Sequence, residues 1–189
     1  PMPLKAGEKT GQFGLWLTNY IRMEQLDKNY FVYYDHGDPA RYDNVKVIKG
    51  FIGEKVKNAN RLTDIDVLVA NRNNEILLLI EIEESPISPK TLLGDIFASL
   101  FSTEFAVKIR NENIYFSKTP GTHFIVASYN PSDKKRKIYT DRVQEKLREF
   151  LSTESGIKPE HVECIIESEL GCCLKKLQQR VKEILQDSH

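Results

Sequence analysis

Residues 63–84, TDIDVLVANRNNEILLLIEIEE, hold two short apolar runs, 65–70 and 76–82, joined by the polar tetrad Asn71-Arg72-Asn73-Asn74. Runs of this length, rich in β-branched residues and flanking a loop of turn residues, predict a β-hairpin. Side chains alternate faces along a strand, so Asp64 and Asp66 share one face, and Glu81 and Glu83 share another. If Ala70 pairs with Glu75, Asp64 falls opposite Glu81 and Asp66 opposite Leu79. Four carboxylates then gather on one side of the sheet, away from the turn, with Leu77 and Leu79 on the same face. Residues 76–80 are apolar on both faces, the pattern of a covered central strand.

Such a gathering is costly. Like charges facing one another across two strands repel, and covered carboxylates must be protonated, paired or bound to a cation. Neither apolar run contains a lysine or arginine. A hard, oxygen-seeking divalent ion such as Mg²⁺ answers that need. A solvated acidic stripe on an edge hairpin is the alternative.

The rest of the chain supplies a frame for this hairpin. Its 189 residues suit a single domain, 1–189, with room for a substantial core. Lys+Arg and Asp+Glu both number 27, so any attraction to nucleic acid rests on local patches rather than net charge. Cys164, Cys172 and Cys173 lack metal-ligand spacing and make a poor disulfide set, which favours a reducing compartment. No run reads as a signal peptide or a membrane span, so a cytoplasmic protein without membrane contact is expected.

Helical spacing of Phe13, Trp16, Leu17, Tyr20 and Ile21 predicts a first helix over 11–25. Residues 29–35 read as a strand, and 36–42 as a turn in which His36, beside Asp35 and Asp38, reads either as a catalytic relay or as an ordinary loop histidine. Residues 45–57 alternate lysines with apolar residues, favour strand, and with Lys46, Lys49, Lys55, Lys57 and Arg61 form a first basic region. Ser88 and Pro89 mark the start of a helix whose apolar face is Leu92, Leu93, Ile96, Phe97, Leu100 and Phe101. A strand over 122–129 and a loop carrying Lys134, Lys135, Arg136 and Lys137 follow. A helix over 141–151, a strand over 161–167 and a closing helix over 174–185 complete the chain. The four-residue basic run reads equally as a solvated loop and as a phosphate contact. The fold class expected is α/β, or α+β with a mixed sheet flanked by helices.

An acid entering one strand of a hairpin and an acid-x-acid closing the next, Asp66 and then Glu81-Ile82-Glu83, resembles the PD-(D/E)xK nuclease superfamily. The resemblance spans 11–129 and implies a restriction-endonuclease-like core, helix-β-β-β-helix-β. Residues 130–189 would then be an appended helix–strand–helix. It implies a metal-dependent deoxyribonuclease, an endonuclease of restriction or repair type, using Mg²⁺ or Mn²⁺. Asp66 and Glu81 would be metal ligands, with the Ile82 carbonyl a third and Asp64 an accessory. DNA would be the partner, contacted through Lys134, Lys135, Arg136 and Lys137, and a homodimer would cut both strands. Glu83 stands where the family's usual lysine would be, and Lys90 could supply the ammonium instead.

Two other readings use the same residues. Asp64-Ile65-Asp66-Val67 also resembles the acid-x-acid strand of nucleotidyltransferases, although Gly53-Glu54 lacks the serine of that family's Gly-Ser turn. A non-catalytic DNA-binding module could also keep the fold and lose the lysine.

Overall fold

The computed structural model describes residues 7–53, 58–86, 88–151 and 158–188. It is a mixed α/β structure: one curled, mixed sheet of eight strands with helices on both faces. Helix α1, Glu8–Met23, buries the stripe Phe13, Leu17 and Ile21, as its spacing predicts. Strand β1, Tyr30–Tyr34, returns beside it. A Cβ on Gly14 would lie 2.1 Å from the Tyr34 ring, so only glycine lets helix and strand approach this closely.

The next strands are β2 (Ile48–Phe51), β3 (Arg61–Ile65), β4 (Val67–Asn71) and β5 (Glu75–Ile82). Helix α2, Pro89–Phe101, starts as expected, with the Ser88 hydroxyl accepting the Thr91 N–H at 3.2 Å and Pro89 in the first turn. Strands β6 (Glu104–Ile109) and β7 (Glu112–Tyr129) form a hairpin ahead of the expected strand over 122–129. The chain then runs through α3 (Asp133–Lys137), a π-helical stretch (Ile138–Val143), α4 (Gln144–Leu151), β8 (Val162–Glu167) and α5 (Leu170–Asp187). The basic run expected in a loop is therefore helical.

Strand order is β1-β4-β5-β7-β6-β2-β3, with β8 on the far side of the C-terminal half of β7. Strands β5 and β8 both run parallel to β7, one on each side. The extra residues of β7 around Pro120 and Gly121 are absorbed in a bulge, where Thr122 Oγ1 donates to the Ile76 carbonyl at 2.7 Å. Strand β3 passes into β4 through a bend at Asp66, so the chain leaves one half of the curled sheet and enters the other there.

One core lies between the sheet and α2 and α4, around Leu68, Leu79, Ile96, Val126 and Leu147. The other lies under α1 and α5, around Leu17, Val69, Ile80, Leu177 and Val181. The expected C-terminal elaboration thus supplies a sheet strand, β8, and the α5 side of the second core. Among the described residues, no helix is long and apolar enough to cross a membrane.

Candidate active site

The predicted hairpin is β4–β5, in a different register. Val67 pairs with Ile80 and Leu68 with Leu79, which brings Asp66, not Asp64, opposite Glu81. The tetrad explains the shift. Asn71 Oδ1 accepts the N–H groups of Asn73 and Glu75 at 2.9 and 3.0 Å, Asn74 adopts φ 60°, and a bulge follows at Val69/Ala70. A second irregularity between Ile76 and Leu78 turns Leu77 to the α1/α5 side, whereas Leu79 faces α2. Leu77 and Leu79 therefore do not share the face expected of them.

Asp66 sits in the bend, where its N–H has left the strand ladder and points to Glu81 Oε2 at 3.4 Å. Asp66 Oδ2 accepts the Ile82 N–H at 2.7 Å, and its carbonyl accepts the Asp35 N–H at 2.8 Å. Glu81 is only 7 % exposed, and its Oε1 accepts a bond from Ser99 of α2 at 3.3 Å. Glu83, two residues on and half-buried, shares a hydrogen bond with Asp95 of α2. Asp66, Glu81, Glu83 and Asp95 thus converge at the carboxyl ends of the parallel pair β5 and β7, the end of a parallel sheet where ligands characteristically bind.

The electrostatics follow from burial, which the charge of His36 offsets only in part. Burial, reinforced by Asp66 and Asp95, drives Glu81 well above the usual carboxylate range. Burial lifts Asp66 to about 6 despite the Ile82 N–H, with Asp35 and Glu84 adding to the rise and His36 opposing it. Glu83 rises to about 7 through burial, then its bond to Asp95 and the nearby charges. Asp95 is raised by burial and lowered by the Glu83 bond, the pattern of a protonated Glu83 donating to an ionised Asp95. One Asp95 oxygen, Oδ2, is buried with no hydrogen-bond partner.

No protein-family model, curated protein or solved structure matches this chain.

The other expected site residues fall elsewhere. Asp64 lies beyond the bend on β3, opposite Lys49 of β2 and ion-paired with Arg61, and it is absent from the charges that shift Asp66 and Glu81. Lys90 is exposed on the first turn of α2, and among the described residues it forms no ion pair with the acids. In α3, Arg136 pairs with Asp133 and donates to the Asn130 carbonyl at 2.7 Å, while Lys134, Lys135 and Lys137 are exposed. Lys55 and Lys57 of the first basic region lie outside the described residues. His36 has φ 61° and stands 3.9 Å from Asp35, but Asp38 turns to the Ala40 N–H, so no three-residue relay forms.

Asp95, Ser99 and Glu84 were not anticipated. Asp95 and Ser99 fall on the stripe of Leu92, Ile96 and Leu100, where polar residues interrupt an apolar face. That interruption was visible in the spacing. Glu84 accepts the Thr10 N–H at 2.8 Å, placing a carboxylate on the positive end of α1, and nothing in the local sequence links those two segments. Among the described residues, no three His, Cys, Asp or Glu side chains stand as a ready-made metal cage. The donor set is nonetheless all oxygen, with one orphaned buried oxygen and no cation paired to it.

Proposed function

We propose that this chain is a Mg²⁺- or Mn²⁺-dependent nuclease with a restriction-endonuclease-like core that hydrolyses DNA phosphodiester bonds. One observation carries the reading: Asp66 and Glu81 oppose each other across two buried strands with Glu83 and Asp95 beside them and, among the described residues, no lysine or arginine ion-paired to them. Oxygen donors that are costly when ionised and unpaired suit a hard divalent cation. Asp66 and Glu81 would hold it. The Ile82 backbone, which already faces Asp66, would add a neutral oxygen. With β2, β3 and β6 set aside as insertions, α1, β1, β4, β5, α2 and β7 follow the helix-β-β-β-helix-β order expected of that superfamily, which supports the reading.

Bound there, the ion supplies Lewis-acid activation of water and neutralises charge on the phosphodiester. Glu83 fills the lysine's place as an acid that titrates near neutrality, so it can hold or release a proton close to the reacting phosphate. Asp95 accepts its hydrogen bond and fixes its orientation. Asp64, ion-paired with Arg61, is left outside this ligand set, which also counts against nucleotidyl transfer, a reaction that would need Asp64 and Asp66 side by side.

Plasmid nicking in Mg²⁺ or Mn²⁺, with melting checked in parallel, tests the reading. Asp66→Asn and Glu81→Gln should each lose at least about a thousandfold in rate, the scale on which such ions stabilise the transition state. Wild-type rates in either folded variant would end the proposal. Absence of Mn²⁺ binding by calorimetry would favour a non-catalytic DNA-binding module.

A further inference from the structure

Side chains of β2 and β6 that point away from the core form a second feature, a cleft of about 910 Å³. Ile48, Phe105 and Val107 face inward, so Lys49 and Lys108 alternate to the outer surface. Lys46 joins them from the approach to β2, and Arg110 from the tip of the β6–β7 hairpin. Arg110 and Asn111 take φ 48° and 72°, the left-handed pair a two-residue hairpin requires. That turn sets the guanidinium at the rim.

The cleft is basic in a chain whose net charge is zero. Its lining holds four cations against one carboxylate, Asp35. Among the described residues none of the four cations makes an ion pair; Lys46 donates only to the Val45 carbonyl, at 3.1 Å. A second cavity, about 570 Å³, shares Lys46 and Arg110 and adds Tyr30, Phe31 and Tyr33. Phe31 is 42 % exposed, an apolar ring that has found no cover. That cavity also holds Arg22 with Asp27 and Asp43, whereas the cleft keeps its cation excess. Cations beside an open aromatic ring are what a single strand needs: charge for its backbone and a flat surface for an unpaired base.

The cleft also leads to the acids. Asp35 and His36 are part of its lining. The Asp35 N–H bonds the Asp66 carbonyl, and the His36 charge acts on the Asp66 carboxyl. A strand lying over Lys108 and Lys49 would reach the bend that carries Asp66.

We propose that this cleft binds the phosphodiester backbone of a single nucleic-acid strand and directs it toward Asp66 and Glu81. The direction of travel rests on the nuclease reading; the binding does not. Lys46, Lys49, Lys108 and Arg110, rather than the α3 lysines, are then the main groups that hold phosphate.

The test is fluorescence anisotropy with a labelled oligothymidine in EDTA, so that no cleavage occurs. The variant Lys49→Glu/Lys108→Glu should weaken binding by more than about tenfold and flatten the log–log salt slope by about 0.7 for each phosphate it no longer neutralises. If it melts early, Lys108→Gln/Arg110→Gln at the exposed hairpin end replaces it. Lys134→Glu/Lys135→Glu on α3 should change affinity less than threefold, and a duplex should bind more weakly than the single strand. Wild-type affinity in folded cleft variants, a larger loss in the α3 variant, or preference for duplex would each overturn the proposal. Glu81→Gln separates the two readings. If it cuts normally while the cleft variants lose binding, the nuclease reading fails and the cleft stands.

Discussion

Strands β5 and β8 flank the same partner, β7, in the same parallel sense, and both carry acids. Their surroundings differ sharply. Helix α5 covers β8 and brings Arg180 to Glu163, with Nε at 2.8 and 2.9 Å from the two carboxylate oxygens, and Lys176 to Glu167. Helix α2 covers β5 and brings Asp95 and Ser99, one more acid and a hydroxyl. Acids on β8 are neutralised by the element packed over them, whereas acids on β5 gain a further like charge, Asp95, and only the Ser99 hydroxyl to ease it. Acids left at a cost to the fold are what a functional site characteristically contains, and that contrast is the ground for the proposed ion site.

Mutation should therefore move the two clusters in opposite directions. Arg180→Ala leaves Glu163, whose side chain is 18 % exposed, without its bidentate partner. Discounting for the part that water still reaches, the loss is about 2 kcal/mol, or roughly 5 °C in Tm. Glu81→Gln should instead raise the metal-free Tm at pH 8 by a few degrees, about 1 kcal/mol, because it removes a charge that has no partner. Thermal melts in EDTA decide it. A loss in both would mean that the Glu81 carboxylate is as structural as Glu163.

A smaller effect lies in pH. Glu83 and Asp66 titrate at about 7 and about 6 in the folded chain, against ordinary values of 4.5 and 3.8. The folded state binds more protons between those limits, so their stabilising contribution is complete below about pH 4 and is lost as pH rises through 6 to 7. Glu83→Gln keeps a neutral side chain at every pH. Its stability advantage over wild type should be near zero at pH 4 and grow to about 1 kcal/mol by pH 8, Glu83 being only half-buried. A difference that stays flat across that range would remove the perturbed carboxyl from the argument.

The same contrast shows what a one-dimensional pattern can carry. Alternation made the β4–β5 hairpin legible and put Asp66 and Glu81 on one face, because facing depends only on whether the pairing shifts by an odd or even number of residues. Register was not legible. It is set by Asn71 bonding two amides of its own loop and by a bulge, which apolar spacing does not encode. The π-helical stretch and α3 were hidden for a related reason: a run of four cations has no apolar face to betray a helix. The β6–β7 hairpin turns on Arg110-Asn111 without the glycine that usually marks such a turn. Charge pairing between β8 and α5, like the Glu84 contact with α1, joins segments far apart in sequence and emerges only from the fold.

The smallest effect separates an ion-binding cluster from one that is merely strained. A ligand that binds only the folded chain stabilises it by RT ln(1 + [L]/Kd), about 0.4 kcal/mol at a concentration equal to Kd, or roughly 1 °C here. Mg²⁺ added at pH 8 should raise the wild-type Tm by that amount, because the ion offsets repulsion that is otherwise uncompensated. The gain should shrink at pH 5, where Glu83 and much of Asp66 are protonated and compete with the metal. It should vanish in Glu81→Gln and persist in Glu163→Gln. Potassium at matched ionic strength is the needed control, since screening alone relieves like-charge repulsion without specificity. Equal stabilisation by potassium and magnesium would leave the carboxylates strained but give no reason to place a divalent ion among them.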